Sequence, residues 1–248
     1  MTHASESAST VTVRQLDIQG EDPASALPSL NEIHVWQRRT QITPKELSRL
    51  RAHLSKDEWE RAHAFRFESD RNEYFVSRGT LRTLLGAYLV APPAELRFQY
   101  SDFGRPALAG VYEEGKLNFN VSHSGGITLW AFAMNRQIGI DVEKIRHDFS
   151  ILEIAERFFS ESERKALKDL PEQEQHDAFF RCWTRKEAFI KALGEGLSHP
   201  LDQFDVSLSP GVPPQLLATR PCGAESQHWA IWDIAVPAGY AAALVAEL

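Results

Sequence analysis

The chain has 248 residues, 43% of them hydrophobic and 25% charged, with a formal net charge of −7. Such a length folds as one large domain or as two of about 110–120 residues, and either buries a sizeable core. The acidic balance argues against nucleic-acid binding through a basic surface. No run approaches the roughly 18 apolar residues of a membrane span, so no membrane association is expected. The N-terminus lacks the charged-then-apolar order of a signal peptide, and Cys182 and Cys222 form no metal-ligand spacing, which makes a reducing cytoplasm the expected compartment.

Residues 1–29, rich in Ser, Thr, Ala and Pro, read as a largely flexible N-terminal extension, in which the short alternation Val11-Thr12-Val13 is a candidate strand with weak surroundings. Ile33 and Val35 alternate with polar residues as in a half-buried strand. Ser55 as N-cap with Glu58 three residues on marks a helix start, and Tyr74, Phe75, Leu81, Leu84, Leu85 and Tyr88 continue a helical spacing. Leu96 to Tyr100 reads as a strand and Asp102 to Pro106 as a turn. Leu117 to Val121 resumes the strand pattern, Ser122 to Gly126 breaks it, and Thr128 to Ala133 returns. Ser122 and His123 therefore fall in a hairpin-like turn.

In Gly139-Ile140-Asp141-Val142-Glu143-Lys144 the apolar residues alternate with Gly139, Asp141 and Glu143, so both carboxylates project from one side of a strand, about 7 Å apart. Like charges so placed call for a cation between them, and a hard divalent ion meets that need. A solvated strand edge is the alternative on these residues alone. Ile151 to Phe159 is helical, Ser160 with Glu163 repeats the capping pair, and Ala178 to Leu193 is an amphipathic helix ended by Gly194 and Gly196. On it Trp183, Glu187 and Lys191 share a face: Glu187 reads as a third metal ligand or a base with Lys191 available to a phosphate, or the two as an ordinary exposed Glu–Lys pair. Phe204 to Leu208, Trp229 to Val236 and Tyr240 to Val245 read as strands.

Val35 and Val142, Ser55 and Ser160, Phe75 and Phe180, Phe98 and Phe204, and Trp130 and Tyr240 recur in order at separations of about 105 to 110 residues. The fold class expected is α/β (α+β), a pseudo-dimer of two similar halves from an internal duplication. Residues 30–136 form one half, residues 137–248 the other, and the active site lies in the cleft between them. No G-x-S-x-G elbow occurs, so Ser122 and His123 suit a phosphate better than a hydrolase triad; a merely exposed turn histidine is the alternative. Arg105, between Gly104 and Pro106, is ambiguous by itself.

Together these residues resemble the 4′-phosphopantetheinyl transferases of the surfactin-synthetase-activating (Sfp-type) class. The matching stretches are Phe103-Gly104-Arg105-Pro106, Phe119 to Ser124, Gly139 to Lys144, Arg157 to Ser160, Trp183 to Lys191, Gly194 to Ser198 and Pro200-Leu201-Asp202, over roughly residues 31–248. The resemblance implies transfer of the phosphopantetheine arm of coenzyme A to a serine of an apo carrier protein domain, releasing adenosine 3′,5′-bisphosphate, by a monomeric chain. It further implies that Asp141, Glu143 and Glu187 hold Mg²⁺, with Mn²⁺ as a substitute, and that Glu187, Lys191 and His123 are catalytic. Arg61, Arg105, Asn120, Ser122, His123 and Lys191 would bind coenzyme A. Glu58 stands where some members are basic, which shifts the 3′-phosphate toward Arg61, with Arg66, Arg71 or Arg78 as helpers. The segment Ile145 to Phe159 is the expected carrier contact. Two competing readings use the same residues: a metal-dependent phosphodiesterase, and a non-catalytic module that binds coenzyme A or carriers.

Overall fold

The computed structural model describes residues 12–18, 27–194, 199–220 and 223–248. Gly196 and Cys222 lie outside the described residues. Eleven strands and six α-helices make a mixed α/β fold among the described residues. In order they are β1 (Thr12–Asp17), β2 (Glu32–Arg39), α1 (Pro44–Arg51), α2 (Lys56–His63), α3 (Glu68–Leu89), β3 (Phe98–Tyr100), β4 (Pro106–Leu108), β5 (Leu117–Ser124) and β6 (Ile127–Met134). Then follow β7 (Ile138–Lys144), α4 (Ile151–Phe158), α5 (Glu161–Lys168), α6 (Glu172–Leu193), β8 (Phe204–Val206), β9 (Leu216–Thr219), β10 (Trp229–Asp233) and β11 (Tyr240–Glu247). Leaving out β1, the order strand, three helices, two short strands, two long strands occurs twice. Both long helices, α3 and α6, have 22 residues.

One sheet has the order β1-β2-β6-β5 and another β10-β11-β7, so β6 and β11 each lie between antiparallel neighbours. The alternating apolar residues of β2 and β6 (Ile33, Val35, Leu129, Ala131) pack against those of β7 (Ile138, Ile140, Val142) and Leu244 of β11 in one buried cluster. This cluster is the seam between the two sheets. Removing such apolar faces from water contributes roughly 25 cal/mol per Å², which makes the seam as cohesive as an ordinary core.

Two buried ion pairs are each built on a helix N-terminus. Glu58 and Glu163 both occupy the third helical position of a capping box, below Ser55 and Ser160. Glu58 accepts from Arg82 Nε of α3 at 2.7 Å, and Glu163 from Lys186 Nζ of α6 at 2.7 Å. Capping has thus been joined to helix docking, because the carboxylate that satisfies the cap also neutralises a buried cation.

Three expectations need correction. Residues 12–17 of the expected flexible extension form β1, paired parallel to β2 from Thr12 with Glu32 to Asp17 with Gln37. Ser122 and His123 do not lie in a turn: β5 runs to Ser124, and Gly125 and Gly126 make the turn at φ 55° and 87°, a region open to glycine. The helix begun at Ser55 is two helices, α2 and α3, with α1 ahead of them.

Candidate active site

The site is built on β7, β5 and α6. Gly139 places β7 against α6 so closely that a Cβ there would meet Ala188 O at 2.1 Å and Ala192 N at 2.4 Å. Residues of β7 on that same side, Asp141 and Glu143, are brought up to the helix face that carries Glu187 and Lys191, as alternation requires. Lys191 Nζ contacts Asp141 Oδ1 at 2.6 Å.

β5 and β7 belong to different sheets, and side chains join them. Asn120 Oδ1 accepts from Ile140 N at 2.9 Å, Ser122 Oγ from Val142 N at 3.3 Å and Ser124 Oγ from Lys144 N at 3.1 Å. These residues repeat every second position on β5 and meet every second amide of β7, so both strands keep their pleat register across the seam. Ser122 Oγ also donates to Asp141 Oδ1 at 2.8 Å and accepts from Lys191 Nζ at 3.0 Å, and Ser124 Oγ donates to Glu143 Oε2 at 2.7 Å.

Burial pushes the Glu187 carboxyl from its ordinary 4.5 to about 7; the charges of Asp141 and Glu143 act the same way and Lys191 opposes them. Glu143 is raised too, by burial first and by Asp141, with the Ser124 hydrogen bond opposing. Three carboxylates within each other's field face one lysine. Asp141 Oδ2 is buried and without a hydrogen-bond partner. An all-oxygen donor set with a free buried oxygen fits a hard cation such as Mg²⁺. Among the described residues no three His, Cys, Asp or Glu side chains already converge as a ligand cage.

The other expected residues divide. Asn120 is buried, its Oδ1 accepts from the Ile140 amide, and it lines the cavity beside Lys191. Ser122 has its single proton on Asp141, which leaves no donor for a phosphate in this arrangement. Arg105 spans the seam, donating to Lys191 O at 2.6 Å and Ile138 O at 3.0 Å, and burial lowers its pKa. It fixes the backbone beneath Lys191 and flanks a cavity of about 250 Å³ lined also by Phe103, Pro106, Phe119 and Lys191. His123 is exposed, 3.8 Å from Glu73 Oε1. Arg61 is exposed on α2, close enough for its charge to act on Tyr100. Arg78 is drawn to Glu58 at 3.5 Å and lies over the rings of Tyr74, Phe98 and Tyr100, Arg66 lies over Phe67, and Arg71 is half-buried. Trp183 packs on Phe158 and Phe179, a core role. Within the expected carrier contact, Ile151 is core at 5% exposure while Leu152 is 38% exposed.

Sequence reasoning passed over Ser124. Its signal was present in the polar alternation Asn120-x-Ser122-x-Ser124, which a turn assignment hid.

A carboxylate cluster faced by a lysine, with the hydroxyls of Ser122 and Ser124 bonded to its carboxylates, is the arrangement of an enzyme centre. Comparison with known proteins gives the family. The family model described as the 4′-phosphopantetheinyl transferase superfamily matches residues 137–245, and one described as 4′-phosphopantetheinyl transferase, N-terminal, matches residues 38–135. The chain is similar to the 4′-phosphopantetheinyl transferase HetI of Nostoc sp., 38% identical over 186 residues, which is 75% of this chain and 78% of that protein. It is 33% identical over 167 residues to the 4′-phosphopantetheinyl transferase Sfp of Bacillus subtilis, covering 67% and 72% of the two chains. It is also 32% identical over 165 residues to L-aminoadipate-semialdehyde dehydrogenase-phosphopantetheinyl transferase of Rattus norvegicus, covering 63% and 53%. The chain belongs to the 4′-phosphopantetheinyl transferases, and within them to the Sfp type.

Proposed function

We propose that this chain transfers the 4′-phosphopantetheine moiety of coenzyme A to a serine of an apo acyl or peptidyl carrier domain, releasing adenosine 3′,5′-bisphosphate, in a Mg²⁺-dependent reaction. The observation that carries this reading is the meeting of Asp141, Ser122 and Lys191 across the seam, with the Glu187 carboxyl raised to about 7 beside them. Asp141, Glu143 and Glu187 would hold the ion, with Mn²⁺ as a substitute. When bound, the ion supplies Lewis-acid neutralisation of the pyrophosphate charge.

The chain's own residues do the rest. Lys191 would turn from Asp141 to the pyrophosphate, and His123 meets the same charge from β5. Arg105 holds the Lys191 backbone, and the cavity beside it takes the adenosine end, with Arg61 toward the 3′-phosphate. Glu187 accepts the proton of the incoming serine directly or through water, a step typically worth 10²–10⁴-fold. The P–O bond to the carrier serine forms as the P–O bond to the bisphosphate breaks, and the nucleophile belongs to the partner.

The same reading takes the chain as a monomer working in the cytoplasm, with halves 30–136 and 137–248 descended from one duplicated unit. The doubled element order and the paired capping ion pairs support the duplication. Leu152 on α4 is the apolar point offered to a carrier. The test is a mass assay: purified protein, coenzyme A, Mg²⁺ and one apo-carrier of each biosynthetic class. A gain of one phosphopantetheine on a carrier is expected. Turnover of coenzyme A with no acceptor modified points to the phosphodiesterase instead, and binding without turnover to the non-catalytic module.

A further inference from the structure

Asp141 and Glu143 are neighbours in the strand pattern but are secured differently. Asp141 is short, 3% exposed and gripped by both Ser122 and Lys191. Glu143 is one methylene longer, half-buried near the end of β7, and receives its hydrogen bond from Ser124 Oγ at 2.7 Å. A longer carboxylate near a strand end has more rotamers to lose, so something must fix it if it is to act at a defined point.

Ser124 is itself fixed. It is the last residue of β5, its oxygen accepts from Lys144 N at 3.1 Å, and its proton goes to Glu143. The turn residues that follow are held as well. Thr40 N donates to Gly126 O at 2.9 Å, the Tyr240 hydroxyl donates to Gly125 O, and Gly125 lies against the Lys144 side chain so closely that a Cβ would meet Lys144 Cβ at 2.8 Å. The hydroxyl is therefore carried by a strand end anchored from both halves. With its one proton used, Ser124 is not placed to donate to a substrate, and what its geometry does is orient a carboxylate.

We propose that Ser124 is a positioning residue: the outermost rung of the Asn120–Ser122–Ser124 ladder, it holds the Glu143 carboxylate in the orientation in which it joins Asp141 and Glu187 at the centre. The inference rests on the ion site of the proposed function. Hydrogen-bond partners of metal ligands typically change affinity 10–100-fold when removed.

Two measurements separate the inference from the reading beneath it. Mn²⁺ binding, followed by loss of the free-ion EPR signal, is compared in the wild-type chain, Ser124→Ala and Ser124→Thr, with thermal unfolding as the check on folding. Ser124→Ala is expected to bind about tenfold more weakly while still unfolding in one cooperative transition, and Ser124→Thr, which keeps the hydroxyl, to bind as wild type. Equal affinity in all three overturns the positioning role. Amide exchange of Lys144 in the metal-free protein is the second measurement, expected about tenfold faster in Ser124→Ala with Val142 unaffected; unchanged Lys144 protection removes the rung and overturns the inference. Wild-type protein that takes up no Mn²⁺, with Lys144 exchange responding as expected, overturns the ion site and the positioning role toward it, and leaves the hydrogen-bonded rung established.

Discussion

Glu187→Gln in the metal-free protein isolates the electrostatic strain that the site stores. In the folded chain the Glu187 carboxyl is raised to about 7 from its ordinary 4.5, mainly by burial. Below about pH 4.5 the group is protonated folded and unfolded and contributes nothing to stability. Between 4.5 and 7 the folded state holds a proton that the unfolded chain has lost, so stability falls as pH rises, and above 7 the whole cost is present. At 1.36 kcal/mol per unit the upper bound is about 3.4 kcal/mol, and partial solvent access reduces it to about 1–2 kcal/mol. Urea unfolding in EDTA should therefore find Glu187→Gln more stable than wild type by about 1–2 kcal/mol at pH 8 and nearly equal at pH 4.5. Mg²⁺ at pH 8 should reverse the order, since a ligand at one hundred times its Kd adds about 2.7 kcal/mol to a chain that binds it. A variant less stable than wild type at pH 8 without metal would refute the reasoning, because Glu187 would then be making a favourable contact rather than bearing repulsion and desolvation.

Other perturbations read different parts of the structure. Asp141→Ala or Glu143→Ala should abolish metal-dependent carrier modification in the mass assay while circular dichroism stays native; full activity in either would return β7 to the role of a charged strand. Arg105→Met removes two charged hydrogen bonds to carbonyls across the seam and should lower stability by about 1.5–3 kcal/mol, a drop in Tm of several degrees. Gly139→Ala forces a Cβ into the α6 backbone and should cost about 3 kcal/mol or more, seen as poor soluble yield or a lowered midpoint. Glu58→Gln leaves Arg82 buried without its counter-charge and should cost about 3–5 kcal/mol in denaturant unfolding, with no direct effect on the carboxylate centre.

Local pattern carried a good part of the fold. The capping pairs Ser55/Glu58 and Ser160/Glu163, the helical face of Trp183, Glu187 and Lys191, and the alternation of Ile138 to Glu143 each depend on spacing along one element, which the chain states directly. Strand β1 was only hinted at by the alternation Val11-Thr12-Val13, because its pairing with β2 rather than its own short pattern holds it. The end of β5 was misplaced because Ser and His are poor strand formers in isolation, and only partners on β6 and β7 hold them extended.

For the site, the sequence by itself determined the inventory: two carboxylates on one side of a strand, and a glutamate and a lysine on one face of a helix. Which atoms meet was decided by tertiary structure. Asn120 and Arg105, both expected at the ligand, also bond backbone groups of the seam, Ile140 N for Asn120 and the carbonyls of Lys191 and Ile138 for Arg105, while lining the cavity beside Lys191. Contacts such as Lys191 with Asp141 join residues 50 positions apart, and the missing side chain of Gly139 lets the helix and strand meet at the depth they do. No periodicity along the chain encodes that distance, because it arises only when two faces pack.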